Sequence, residues 1–297
     1  MKFRFIYDHQ QEHAGVKMCE VLNVSPSGYY KWRSNLARST DDVKNRKKQE
    51  HLPKITKSFH ESMGTYGSPR IHDDLEKWGY ALSTKTVARY MKELSLRATP
   101  LQRYLVTTDS NHTDKIYPNL VKRQFKTALP DRVWVADITY IWTQEGWLYL
   151  SSIMDLYSRK IISWGLDTHL RKEFPLEVLK RAIETRRPSE KLIHHSDRGS
   201  QYCSKAYTDL LKENEVKISM SRKGDPYDNA CIESFHATLK KELVYRNRFA
   251  TRVDARRAIS AYIDTFYNTR RKHSTLGYFS PTKFEEKYRI EQLLKIS

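Results

Sequence analysis

A mixed α/β domain preceded by helical segments is the fold this sequence predicts, and three observations predict it. Side chains from Val133 to Trp142 sort onto two faces with period two, the pattern of a β-strand. From there the chain reads as three strands, a helix, a strand, a helix, a strand and then helices, an order typical of a mixed α/β domain. Ahead of it, Ser25-Pro26 and Ser68-Pro69 each start a helix, because serine caps well and proline suits the first helical position.

Val16 to Leu22 reads as a short helix with Val21 and Leu22 apolar, Asn23-Val24 as a turn, and the helix after Ser25 carries Tyr29, Tyr30, Lys31 and Trp32. The pair is a helix-turn-helix. Asp41 to Glu50, which contains KNRKK, has no apolar pattern and reads as a linker or an exposed helix. A second helix-turn-helix follows. Ser68 caps, Ile71, Leu75 and Trp78 share a face, and Gly79 ends the helix. Ser83 caps the next, with Val87, Tyr90, Met91 and Leu94 inward and Lys85, Arg89 and Lys92 outward. Such a helix can lie in a major groove with its basic residues on phosphates, although a helical hairpin that only packs has the same pattern. Lys85 and Arg89 are the candidate DNA contacts here. From Asp109 to Asp131 the chain is irregular, with Pro118 and Pro130 as breakers.

In the first strand Val133, Val135, Asp137, Thr139 and Ile141 take one face, and Trp134, Ala136, Ile138, Tyr140 and Trp142 the other. Gln144-Glu145-Gly146 turns into a second strand, Trp147 to Leu156, and Ser158-Arg159-Lys160 turns into a third, Ile161 to Leu166. Pro175 to Arg187 is helical, Lys191 to Ser196 is a short strand ending at Asp197, and Ser204 to Glu215 is a helix. Val216 to Met220 is the last strand, followed by helices over Asp228 to Tyr245 and Arg252 to Tyr267. The expected organisation is 1–48, a helix-turn-helix segment with its linker; 49–108, a second DNA-binding segment; 109–127, a connector; and 128–290, the α/β core with its C-terminal helices.

Lys and Arg exceed Asp and Glu by 18 (53 − 35), which points to a polyanionic partner. The surplus is uneven: Lys240 to Lys272 holds ten basic residues and three acidic ones. No long uncharged apolar run predicts a membrane span, and the N-terminus does not read as a signal peptide. Cys19, Cys203 and Cys231 form no CxxC pair, which argues against structural zinc and for a reducing compartment.

Three acids then stand out. Asp137 sits among apolar residues in VWVADITYIW, Asp197 closes LIHHSD, and Glu233 lies in DNACIESFHATLKKE. Singly, each has an ordinary reading: a salt bridge, a turn residue, a solvated helical acid. Jointly they form a poor core, because buried like charges repel, and a good magnesium site, because that hard cation takes oxygen ligands. Lys240, seven residues on from Glu233, shares its helical face and could reach a phosphate that the metal also binds. Two metals about 3.5–4 Å apart can stabilise both the attacking and the leaving oxygen of a phosphoryl displacement. No GxxxxGK[ST] loop is present. Asp155 competes with Asp137; Asp225 and Asp228 read first as helix-start residues; His194 and His195 read first as locally hydrogen-bonded.

The trio, with thirty-five residues between Asp197 and Glu233, resembles the DDE triad of transposases and retroviral integrases. WVADITYIWTQEGWLYLSSIMDLYSRKIISW, HHSDRGSQY, DNACIESFHATLKKE and YNTRRKHSTLGYFSP resemble the OrfB transposase of the third bacterial insertion-sequence family, as do TTDSNH, PNLVKRQF and the YGSPRI…ARYMKEL pair. Ala136 and His236 depart from that family's pattern. The resemblance implies a ribonuclease-H-like core, two magnesium (or manganese) ions at Asp137, Asp197 and Glu233, and strand cleavage and transfer on double-stranded DNA at element ends and target. It implies a bacterial cytoplasmic, nucleoid-associated protein acting as a homo-oligomer. It also implies fusion or association with an upstream-frame protein that supplies a coiled coil, since no sustained heptad occurs here. Tyr267, Asn268, Arg270 and His273 are expected to form a polar, basic surface over the DNA, with Lys240 near the cleaved phosphate. A DNA-binding regulator without catalysis and a nuclease that does not join strands are the alternatives.

Overall fold

The first of two units in the chain, Met1–Arg97, is helical; a computed structural model describes residues 1–39, 42–98, 115–188, 191–222 and 225–295. Helices α1 (Lys2–Asp8), α2 (Gly15–Val21) and α3 (Pro26–Ser39) enclose Ile6, Met18, Cys19 and Tyr29, with Phe3, Tyr7 and Trp32 packed on them. Ser25 caps α3 as expected, its Oγ accepting the Gly28 N–H at 3.3 Å. Helix α1 had no reading in the sequence; in α2 the buried face is made by Met18 and Cys19, and apolar Val21 is 80% exposed.

Helix α4 (Asp42–Glu61) resolves the polar stretch after Asp41 as helix, running through Pro53 to bury Ile55 and Ser58. It packs on α5 (Ser68–Lys77) and α6 (Thr84–Glu93). The Ser58 hydroxyl donates to Asp74 at 2.7 Å, and Lys48 pairs with Glu93 at 2.7 Å. Gly67, not Ser68, is the N-cap residue of α5; Ser68 and Pro69 occupy its first turn. Trp78 is 38% exposed rather than inward, because it falls at the C-cap, where its ring lies 5.5 Å from the Lys57 ammonium. Ser83 caps α6 by accepting from Thr86 N–H, and Lys85, Arg89 and Lys92 are exposed as read. The TTDSNH stretch lies outside the described residues.

The second unit, Ala98–Ser297, is built on one five-stranded sheet. Its strands are β1 (Val133–Thr143), β2 (Gly146–Asp155), β3 (Ile161–Asp167), β4 (Ile193–Ser196) and β5 (Lys217–Met220), in the order β3-β2-β1-β4-β5. β1, β2 and β3 form an antiparallel meander, whereas β1, β4 and β5 are parallel. This is the ribonuclease-H-like arrangement. Helices α7 (Glu173–Arg186), α8 (Ser200–Cys203) and α9 (Lys205–Glu213) cover the Trp134–Ala136 face, around Val178, Leu179, Tyr207 and Leu211. Helix α10 (Ala230–Glu242) packs on the other face of β1.

The longer elements that follow are α11 (Arg252–Ser260), a wider π turn (Ala261–Tyr267) and α12 (Pro281–Leu294), with short 3₁₀ turns at Val244–Arg246 and Ser274–Leu276. The sequence had read Arg252 to Tyr267 as one uniform helix; the backbone widens at Ala261. One ion cluster ties α12 to the sheet. Arg186 reaches Asp131 at 2.9 Å, Asp155 at 3.1 Å and Glu285 at 2.9 Å.

Candidate active site

The register of two strands brings the aspartates together. Val133 pairs with Ile193, so the parallel β1–β4 ladder has an offset of 60 residues. Asp137 and Asp197 are also 60 apart, so each lies two residues beyond the last paired rung, Val135 with His195, with Asp197 just past the end of β4. Asp137 accepts the Ile138 N–H at 2.8 Å through Oδ1. Asp197 accepts the Gly199 N–H at 2.9 Å through Oδ1, and a Cβ on Gly199 would stand 3.0 Å from that same oxygen. Any larger residue at 199 would press on the carboxylate.

Glu233 is delivered by the first turn of α10, whose start is pinned from three sides. Asp225 caps a 3₁₀ turn (Pro226–Asn229), accepting from Tyr227 N–H. Asp228 accepts from the Arg222 backbone and guanidinium, from Arg123 at 3.1 Å and from Asn119 at 2.9 Å. The Arg222 hydrogen bond, with lesser help from Arg123, holds the Asp228 carboxyl far below the usual range. The Asn229 amide then donates to the Ala136 carbonyl at 3.2 Å, which fixes the helix start one residue short of Asp137 on β1.

One turn along α10, His236 closes the link. Its Nδ1 lies 3.2 Å from Asp137 Oδ2, and its Nε2 lies 2.7 Å from Ser152 Oγ. Ser152 is the β2 residue paired with Asp137, so the imidazole bridges two neighbouring strands on the face that α10 covers. Sequence reasoning had noted His236 only as a departure from a family pattern. Its spacing of three from Glu233, which puts both on one helical face, was the available signal.

Electrostatics supports the convergence. Burial pushes the Glu233 carboxyl up to about 7, and the negative charges of Asp137 and Asp197 add to the rise. Lys240 is shifted down by burial, an effect Asp137 opposes, so its ammonium lies within reach of that carboxylate's field. Among the described residues no three His, Cys, Asp or Glu side chains already form a metal cluster. Asp137 is engaged instead by His236, and Asp197 by a backbone N–H. The donor set nevertheless fits a hard divalent cation: it is all carboxylate oxygen, and its mutual repulsion is what such a cation relieves.

The competing residues have other work. Asp155 is fully buried, bonded to the Asp131 and Tyr157 N–H groups and to Arg186; burial outweighs those partners and pushes its carboxyl up to about 7. His194 bonds Tyr207 at 3.0 Å, and His195 bonds Ser219 and Ser221. Burial pushes the two imidazoles down to about 3 and about 4, so both are neutral packing groups. Tyr267 and Asn268, expected over the DNA, are buried. The Asn268 amide instead brackets Ile161, accepting its N–H at 3.0 Å and donating to its carbonyl at 2.9 Å. His273 packs edge-on against Tyr267 at 5.0 Å, whereas Arg270 is exposed.

Fold and site together define an integrase-type core. An integrase core domain profile matches residues 128–226, a second integrase core profile matches 214–281, and an HTH-like domain profile matches 46–104. The chain is 37% identical to the transposase InsF for insertion sequence IS3A of Escherichia coli (strain K12), over 97% of this chain and 99% of that protein. It is 42% identical to the insertion element IS600 uncharacterized 31 kDa protein of Shigella sonnei, over 91% of this chain and 98% of that one. The HTLV-2 integrase catalytic core domain, solved in complex with magnesium, aligns with a TM-score of 0.40 at 14% identity, over 53% of this chain and 97% of that chain. The chain belongs to the IS3 family of DDE transposases.

Proposed function

We propose that this chain cleaves and joins DNA strands in the transposition of an insertion sequence, with Asp137, Asp197 and Glu233 as its catalytic carboxylates. The observation that carries the reading is the shared 60-residue offset of β1–β4 and of Asp137–Asp197, with Glu233 held against the same strand by Asn229 and His236. Those three side chains would hold one or two magnesium (or manganese) ions, which when bound activate a hydroxyl nucleophile and neutralise charge on the leaving oxygen. The chain's own contribution is placement. His236 orients the Asp137 carboxylate, the Gly199 N–H orients that of Asp197, and Lys240 is set to meet a DNA phosphate. In strand transfer a DNA 3′-hydroxyl oxygen bonds to phosphorus as the opposite P–O bond breaks, so no enzyme-linked intermediate and no nucleotide hydrolysis are needed.

Double-stranded DNA is the partner that the +18 charge balance favours. Lys85 and Arg89 on α6, together with Arg270, are the proposed contacts outside the site. His273, half-buried against Tyr267, is assigned to shaping that segment before it touches DNA. We keep the division into 1–48, 49–108, 109–127 and 128–290 as our reading of the chain. Action on two element ends calls for more than one subunit, so we assign a homo-oligomer on DNA, with an upstream-frame protein as its companion. Such a protein would work in the bacterial cytoplasm at the nucleoid; among the described residues no helix is long and apolar enough to cross a membrane.

The test is product analysis on a labelled duplex carrying the element's ends. Joined strands from the wild type, lost in Asp197→Asn with DNA binding retained, support the reading. Nicks without joining would favour a nuclease, and an unchanged Asp197→Asn would remove that residue from the site.

A further inference from the structure

The connector segment PNLVKRQF (118–125) docks on two of the elements that bring carboxylates to the site. The Pro118 carbonyl accepts the Met220 N–H at 3.4 Å, and Leu120 N–H donates to Ser219 Oγ at 2.8 Å. Both partners lie in β5, which pairs with β4 as Ser219 with His195 and Met220 with Ser196, the last rungs before Asp197. The same Ser219 hydroxyl bonds His195 Nδ1 at 2.8 Å. One hydroxyl thus ties the connector backbone to the strand that leads into Asp197.

From the same turn, Asn119 and Arg123 reach the approach to α10. The Asn119 amide donates to Asp228 Oδ2 at 2.9 Å. The Arg123 guanidinium donates to Asp228 Oδ1 at 3.1 Å through Nε and to Asp225 through Nη2. Asp228 is fully buried and lies five residues ahead of Glu233. The turn is shaped for this reach. Asn119 Oδ1 accepts the Lys122 N–H at 2.8 Å, so one side chain closes the turn and grips Asp228. Lys122 and Arg123 then take φ +48° and +62°, the left-handed region that side chains with a Cβ seldom enter. Such a backbone persists only where its surroundings hold it. The far end is held too, since Arg159 donates to the Phe125 carbonyl at 2.9 Å.

Arg222 plays a different part at Asp228. It supplies three hydrogen bonds, but from only six residues away. It neutralises the carboxylate and travels with it. Asn119 and Arg123 stand 109 and 105 residues away in sequence, on a segment anchored to β5. They therefore refer the start of α10 to the β4–β5 side of the sheet, the side that carries Asp197. The Asn229 bond to Ala136 refers the same helix start to β1, beside Asp137. Together the two ties fix Glu233 against both aspartates.

We propose that Asn119 and Arg123 are positioning residues for strand transfer, holding Glu233 at its working distance from Asp197 through Asp228. The proposal deepens the transposase reading and rests on it. A direct contact of Arg123 with a DNA phosphate is the competing role. It fits less well, because the Arg123 guanidinium already faces two carboxylates, which offset its charge.

The test uses the full chain and two variants. Arg123→Ala removes the external cation but leaves Asp228 its Arg222 partner. Asn119→Asp keeps the acceptor for Lys122 N–H and turns the donor to Asp228 into a repelling carboxylate. Amide hydrogen exchange in chelator should be about tenfold faster over 229–236 in both variants and unchanged over α7. Magnesium affinity by calorimetry, with the metal alone, should fall about tenfold. Duplex affinity and its salt slope should stay as in the wild type. Unchanged exchange at the start of α10 would overturn the proposal. So would a salt slope reduced by about 1 in Arg123→Ala with exchange unaltered, which would make Arg123 a phosphate contact. If Arg123→Ala loosens the whole core, Asn119→Asp decides: loosening confined to α10 supports the proposal, and none overturns it. Faster exchange without weaker magnesium binding overturns it and leaves the transposase reading standing. Magnesium binding that survives Asp197→Asn overturns both.

Discussion

Replacing Glu233 by Gln should make the metal-free protein more stable at neutral pH while abolishing strand transfer. The Glu233 carboxyl titrates at about 7 in the fold, against an ordinary value of 4.5, because burial and the charges of Asp137 and Asp197 disfavour its ionised form. A group whose folded pKa is raised in this way binds protons more tightly folded than unfolded. Stability is therefore greatest below pH 4.5 as far as this group is concerned, and it is lost as pH rises toward 7. Each pH unit of that window corresponds to about 1.4 kcal/mol, giving an upper limit of about 3 kcal/mol. Glu233 is only half-buried and water screens its neighbours, so about 1 kcal/mol is the expected size. Gln removes the charge at nearly constant shape. Urea denaturation in chelator from pH 4 to pH 8 should show the wild type losing about 1 kcal/mol relative to Glu233→Gln as pH rises through that window. Parallel curves for the two proteins would mean that Glu233 does not face the two aspartates, and the reasoning would be refuted.

Three further outcomes follow from contacts elsewhere. His236→Ala should weaken magnesium binding about tenfold or more, measured by calorimetry, with His236→Gln restoring part of it, because a hydrogen-bonded carboxylate is a better-placed ligand; equal affinity in all three proteins would contradict the bridge. Arg186→Met should destabilise the second unit by about 3–5 kcal/mol in chemical denaturation, since it strands buried Asp155 and Glu285 without their shared cation; a loss below about 1 kcal/mol would show that the cluster is not paired as described. Lys85→Ala with Arg89→Ala should reduce the slope of log affinity against log salt by about 2 on any duplex, and an unchanged slope would remove α6 from the DNA.

The sequence alone exposed the periodic elements well. Strands β1 to β5 and the turn at Gly146 are visible in local alternation and turn chemistry, and so are the caps at Ser25 and Ser83. What it could not expose is register. Asp137 and Asp197 are recognisable as misplaced or turn acids, but that each lies two residues beyond the same rung depends on a β1–β4 pairing set by packing sixty residues apart. The same applies to His236, whose role needs Ser152 and Asp137 to be neighbours across a ladder. Asn268 shows the converse: a polar residue in a basic run looks like surface, yet it is spent on bracketing the Ile161 backbone at the edge strand. Trp78 failed because one residue past the last helical turn the face no longer points inward.

A crystal of the protein soaked in manganese and measured at the manganese absorption edge puts the metal claim to its most direct trial. An anomalous peak coordinated by the Asp137 and Asp197 carboxylates, with Glu233 turned toward it, is the expected result. A peak at other side chains, or none at these three under saturating manganese, would contradict it.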